Sequence, residues 1–191
     1  MTVTAGGLFG LFTSYFRLWS SKNEQLPQSS LIQPDDPHYR LPKCRFCDVS
    51  KEKGFNVVWE DDDFVVFDDR SPASVRHMLV IPKRHVESVK TLKQSDVPLL
   101  ARMAEIGTRM LDDLSVPPEL RKLGFHIPPF NSVNHLHLHT QALPYKSRLR
   151  GAKYPIAHGV KGKEKGFSWF VEVGQAVRIL QSGNRVGVWP C

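Results

Sequence analysis

The sequence predicts an α+β domain: an antiparallel β-sheet of about five strands, with a long helix packed on it and a C-terminal helix. Three observations carry that expectation. Short β-branched and aromatic runs flank a polar turn between Val57 and Phe67, and an alternating pattern fills Asn134 to Ala142. Between Ser95 and Leu114, apolar residues recur at helical spacing. A length of 191 residues suffices for one domain with a real core plus extensions, and 41% apolar with 24% charged residues is ordinary for a globular chain.

Residues 1–40 read as an N-terminal extension, partly disordered. Gly6 to Trp19 is apolar and aromatic, but Arg17 interrupts it and no basic stretch precedes it. A targeting peptide, an interfacial helix, a packing tail and an extension without purpose all fit that pattern. The polar, proline-bearing stretch that follows is a linker, so the compact domain should begin near Leu41. Val57–Trp59 and Phe64–Phe67 form a hairpin around Glu60-Asp61-Asp62-Asp63. Met78–Ile81 is a further strand, ended by Pro82. The helix from Ser95 to Leu114 can be capped by Ser95 or Asp96 and tolerates Pro98 in its first turn. Leu99, Met103, Ile106, Met110 and Leu114 should face the core. Lys122–Ile127 is a strand broken by Pro128-Pro129, and another runs from Asn134 to about Ala142. The domain thus spans 41–145. Residues 146–191 hold a basic, glycine-bearing loop and a packing helix at Phe167–Leu180.

A formal charge of +7 tilts the chain toward an anionic ligand but does not say which. Three cysteines, with no clear secretory signal, argue against a disulfide framework and for a reducing compartment, cytoplasmic or nuclear. A targeting peptide at the N-terminus is not set aside. No stretch is long and apolar enough to span a bilayer.

The decisive segment is Asn131-Ser132-Val133-Asn134-His135-Leu136-His137-Leu138-His139-Thr140-Gln141. His and Leu alternate with the period of a strand, so His135, His137 and His139 share one face while Leu136 and Leu138 enter the core. Three imidazoles side by side are poor packing. An accidental exposed strand and a pure metal site are the competing readings. The rigid turn just ahead of the triad counts against both, because such a turn can offer N–H groups and a hydroxyl to an anion.

This segment resembles the signature of the histidine-triad family. The likeness extends over residues 41–145. It takes in Asp61-Asp62, then Phe67-Asp68-Asp69-Arg70-Ser71-Pro72, then His77-Met78-Leu79-Val80-Ile81-Pro82-Lys83-Arg84-His85. Gly124-Phe125-His126-Ile127-Pro128-Pro129-Phe130 and the aromatic tail are similar to the Hint-type branch near aprataxin. The resemblance implies a histidine-triad fold and a purine nucleotide substrate attacked at its α-phosphate by His137. A nucleotidyl-histidine forms, and water then releases the monophosphate. His139 would stabilise the phosphate, Ser132 would contact the phosphate or leaving group, and His77 would support the triad. Asp69 would hold the ribose hydroxyls and Arg70 would lie against the base. Phe67, Val66 and Ile81 could line a base pocket, with Asn131 and His126 near the phosphates. Thr140 and Gln141 depart from the family, which has apolar residues there.

Cys44-Arg45-Phe46-Cys47 is by itself a weak signal. In zinc-bearing relatives the partners are the histidines that match His85 and His135 here, so the resemblance implies a structural Cys₂His₂ zinc site. No organic cofactor is implied. The leading function is an adenosine phosphoramidase-like hydrolase. Alternatives are aprataxin-like removal of AMP from adenylated nucleic-acid ends and a nucleotide-binding scaffold; a metal module without nucleotide chemistry is weaker. The basic tail (Lys146, Arg148, Arg150, Lys153, Lys161, Lys163, Lys165) would suit a nucleic-acid backbone, but a solvated loop is the stronger reading. Hint-type relatives imply a homodimer.

Overall fold

The Asp61 carboxylate closes the first hairpin by accepting from the backbone N–H groups of Asp63 and Phe64 (3.0 and 2.7 Å). It joins β1 (Val57–Glu60) to β2 (Phe64–Asp68) in a computed structural model that describes Asp36 and residues 38–191. The expected strand at Met78–Ile81 is longer, β3 (Ser74–Pro82). With β4 (Arg121–His126), β5 (Leu138–Tyr145) and β6 (Phe170–Glu172) the sheet has six strands, ordered β1-β2-β3-β5-β4-β6 and antiparallel throughout.

The sixth strand corrects the expected helix at Phe167–Leu180. The Glu172 carboxylate accepts from Gly174 N and Gln175 N (2.9 and 3.0 Å), so the helix starts only at Val173. Upstream of that cap, Phe170 and Val171 pair with β4. Gly124 allows the approach, because a Cβ there would lie 2.6 Å from the Phe170 ring.

One face of the sheet is covered by α1 (Val97–Asp113) and by α3 (Val173–Gln181); α2 (Arg148–Gly151) is a single turn in the tail. Leu100, Met103 and Ile106 of α1 are fully buried, worth roughly 1.5–3 kcal/mol each. Their stripe is shifted from the expected one. Leu99 is half-buried, and Leu114 lies past the helix end, 42% exposed. Gly107 lets α1 close on β5, for a Cβ there would sit 2.7 Å from Thr140 Oγ1. Asp96 precedes the helix as expected, but its carboxylate accepts from Lys93 N rather than from the helix.

The strand expected from Asn134 begins only at Leu138 and runs on to Tyr145. Residues 134–137 bend away from the ladder, with Leu136 N donating to Val86 O (2.6 Å). Leu136 and Leu138 still enter the main core. A smaller cluster of Phe46, Val65, Phe67, Leu79 and Ile81 fills the opposite face. Among the described residues no helix is long and apolar enough to cross a membrane. Most of the residues expected to form an extension lie outside the described ones; Tyr39 is tied in, its carbonyl accepting from His85 N (2.8 Å).

Candidate active site

Alternation along β5 sends Leu138 and Thr140 toward the helices and His139 and Gln141 to the other side. His137, although just ahead of the strand, joins His139 there at 5.0 Å between ring centroids. Its Nδ1–H donates to His135 O (2.6 Å), which leaves Nε2 with the free lone pair. His137 is only 6% exposed, with Phe46 edge-on at 5.5 Å.

Four hydrogen bonds through three imidazoles form a directed chain. Ala73 N–H can only donate, and it meets His77 Nδ1 at 3.2 Å. The neutral His77 therefore carries its proton on Nε2 and donates to His139 Nδ1 (2.9 Å). His139 Nε2–H donates in turn to His126 Nδ1 (3.0 Å), and His126 Nε2–H to Lys153 O (2.9 Å), which can only accept. Both ends assign every proton between them. Burial keeps the rings neutral: it pushes His77 down to about 4, partly offset by Asp69, and lowers His126, His137 and His139. Gln141, fully buried, braces this chain. Its amide lies 3.4 Å from His77 Nε2 and accepts from Tyr145 OH (3.2 Å). Thr140 instead points at Gly107 with its hydroxyl unpartnered.

Beyond His139 opens a cleft of about 580 Å³. Asp69, His126, His139 and Ser132 line it, with Phe130, Lys153, Tyr154 and Trp169 among its walls. His137 does not line it and sits one ring back. Asp69 spends one oxygen on Ser71 N (2.7 Å) and holds the other 3.6 Å from His77 Nε2. Arg70 is exposed, and Asn131 turns its amide to Val133 O and Asn134 Oδ1. Phe67 and Ile81 share the small apolar cluster, Phe67 covered by Phe46 and Phe55 at 5.3 and 5.1 Å. Val66 points to the opposite face and joins the main core, so these three do not form one pocket. Lys153, Tyr154 and Trp169 were missed because nothing in a basic, glycine-bearing tail signals that it folds back on the triad.

The other expected group also assembles. Cys44, Cys47, His85 and His135 bring Sγ and Nδ1 atoms within 4.8 Å of one another and could hold a metal ion. His135 Nε2–H donates to Pro82 O (2.9 Å), which turns Nδ1 toward the sulfurs. Burial pushes the Cys47 thiol up to about 11, so it keeps its proton until a cation replaces it.

Residues 43–154 match the family described as scavenger mRNA decapping enzyme C-term binding. The chain is 35% identical to an adenosine 5'-monophosphoramidase HINT3 of Danio rerio, over 74% of this chain and 84% of the relative. It is 40% identical to a bifunctional adenosine 5'-phosphosulfate phosphorylase/adenylylsulfatase HINT4 of Arabidopsis thaliana, over 58% of this chain and 77% of that one. Aprataxin of Danio rerio is 33% identical, over 69% of this chain but 38% of its own length. Among solved structures, a HIT family hydrolase from Clostridium thermocellum superposes with a TM-score of 0.51 at 25% identity, covering 56% of this chain and 96% of the other.

Proposed function

Since this chain belongs to the histidine-triad family, we propose that it is a purine-nucleotide hydrolase of the adenosine phosphoramidase type, acting through a nucleotidyl-histidine. The observation that carries this reading is the His137 ring. With Nδ1–H fixed to the His135 carbonyl, Nε2 holds a neutral lone pair beside the imidazole chain. That nitrogen attacks the α-phosphorus; the P–N bond forms as the bond to the leaving group breaks. Water then cleaves the P–N bond and frees the nucleoside monophosphate.

His139 supplies an N–H that His126 gives up to a phosphate oxygen, and His77 fixes the tautomer that makes this N–H available. Ser132, exposed at the cleft, contacts the phosphate or leaving group. Asp69 takes the ribose hydroxyls, Arg70 lies along the base, and Phe67 backs it from the apolar cluster. Asn131 shapes the loop that carries Ser132.

The metal is a structural zinc in this reading. Tetrahedral zinc with Zn–S near 2.3 Å and Zn–N near 2.05 Å places sulfur and nitrogen about 3.6 Å apart. The Sγ–Nδ1 distances are 3.4 Å (Cys44–His135), 3.3 Å (Cys47–His85) and 3.6 Å (Cys47–His135). Four protein ligands leave no open position, so the ion would orient His135 and the segment leading to His137. The three free cysteines suit the cytoplasm or nucleus. A homodimer is the assembly expected from the family, checked by sedimentation.

The test is to quench the protein with an adenosine phosphoramidate during turnover and weigh it. The wild type gives a nucleotidyl adduct on His137. His137→Ala gives neither adduct nor turnover while calorimetry still finds nucleotide binding. Turnover retained in that variant refutes the assignment, and binding without turnover in the wild type leaves only a scaffold.

A further inference from the structure

Residues 165–168 and 188–191 run as a two-stranded ribbon. Lys165 and Cys191 exchange both backbone hydrogen bonds (3.0 and 3.2 Å), and Ser168 N donates to Val188 O (3.0 Å). Ser168 is buried, whereas Phe167 is exposed and Trp169 half-buried. Phe167, 54% exposed, lies 5.2 Å from the Trp189 ring, itself 74% exposed. Trp169 stands 5.7 Å from the half-exposed Phe130 at a 32° tilt, and both line the cleft beside His126 and His139. The Trp169 indole N–H donates to Lys153 O (3.1 Å), the same carbonyl that ends the imidazole chain. Singly exposed aromatics are ordinary, but two ring pairs beginning at a reactive cleft mark a contact surface.

The basic tail divides on inspection. Lys165 is fully buried and donates to Gly166 O and Val188 O (2.8 and 3.1 Å), and Arg150 donates to Ser71 O and Pro72 O (3.3 and 2.9 Å). Those two cations serve the fold. Lys146, Arg148, Lys153, Lys161 and Lys163 remain exposed and, among the described residues, in no ion pair. Lys153 adjoins Trp169, and Lys161 and Lys163 lie on the turn that leads into Phe167.

We propose that the Phe130–Trp169 and Phe167–Trp189 pairs, flanked by Lys153, Lys161 and Lys163, form a stacking platform for a single-stranded oligonucleotide carried by the substrate beyond its reacting nucleotide. Rings offer faces to bases and ammonium groups meet the phosphates, the pairing by which proteins hold single strands without reading sequence. An anionic membrane would favour the same residue types, but a bilayer does not enter a cleft that ends on imidazoles. The proposal rests on the reading that this cleft takes a nucleotide.

The test titrates the full-length chain into a fluorescein-labelled oligothymidine of about twelve nucleotides and follows anisotropy at about 50 and 200 mM salt. The wild type binds, more weakly at the higher salt. Phe167→Ala with Trp189→Ala, both exposed and outside the reacting groups, weakens binding about 5- to 150-fold for each base left unstacked. Turnover of a small phosphoramidate stays unchanged. Lys161→Ala with Lys163→Ala, which touches no ring, lowers the salt slope by about 1.4. No binding by the wild type overturns the platform. So does affinity indifferent to both double variants, or a loss seen only on phosphatidylserine vesicles. Phosphoramidate turnover without oligonucleotide binding removes the platform and keeps the hydrolase; binding without turnover does the reverse.

Discussion

Acidification from about pH 7.5 to about pH 5 should remove about 2 kcal/mol of folding stability through His77 alone. In the unfolded chain this imidazole titrates near 6.5; in the folded chain burial holds it down to about 4. At pH 5 the unfolded ring is almost wholly protonated while the folded ring is almost wholly neutral. The unfolded state therefore binds more protons throughout this window, and stability falls as pH falls. The loss starts near pH 6.5, reaches roughly 2 kcal/mol at pH 5, and levels off near 3 kcal/mol below about pH 4. The physical source is burial of the ring, which disfavours its charged form and outweighs the opposing pull of the Asp69 carboxylate; Nδ1, where a second proton would go, already faces the Ala73 N–H. Urea unfolding of the wild type and of His77→Asn at both pH values isolates this residue from the other histidines. The pH dependence of the variant should be flatter by about 2 kcal/mol. Equal slopes in the two proteins, within about 0.5 kcal/mol, would refute the neutral, directed imidazole chain.

Two further outcomes follow from Cys44 and from the buried Thr140. Cys44→Ala should weaken zinc by more than the roughly 10–100-fold that a lost outer partner costs, and should lower Tm; unchanged metal content and melting would remove the zinc site. Thr140→Val should raise stability by about 1 kcal/mol, or Tm by about 2–4 °C, because it replaces an unpartnered buried hydroxyl by a methyl in the same volume. A fall in Tm would mean that the hydroxyl has a partner.

Local pattern made much of this legible. The 57–67 hairpin, the helix near 97–113 and the adjacent rings of His137 and His139 follow from period and turn chemistry, whereas His135, ahead of the strand, turns to the cysteines instead. What failed depended on contacts distant in sequence. The strand that carries His139 begins only after His135 and His137, because His135 is drawn toward Cys44 and Cys47, about ninety residues earlier. The tail read as helix and loop because no local period announces a three-residue strand whose reason to exist is the bare backbone of Gly124. Gln141 looked like a defect in the motif. It proves to be packed beneath His77, a role visible only once β3 and β5 are paired at His77 and Gln141.

The fastening of β6 onto β4 has an evolutionary side. Groups that would break and make bonds arise before residue 140, whereas one part of the cleft wall, Ala152, Lys153, Tyr154 and Trp169, comes from after residue 150. Drift, exchange or shortening of the late stretch can therefore retune which molecules are admitted while the reactive machinery is inherited intact. Sister proteins with the same chemistry and different diets would be expected to diverge first in their final forty residues.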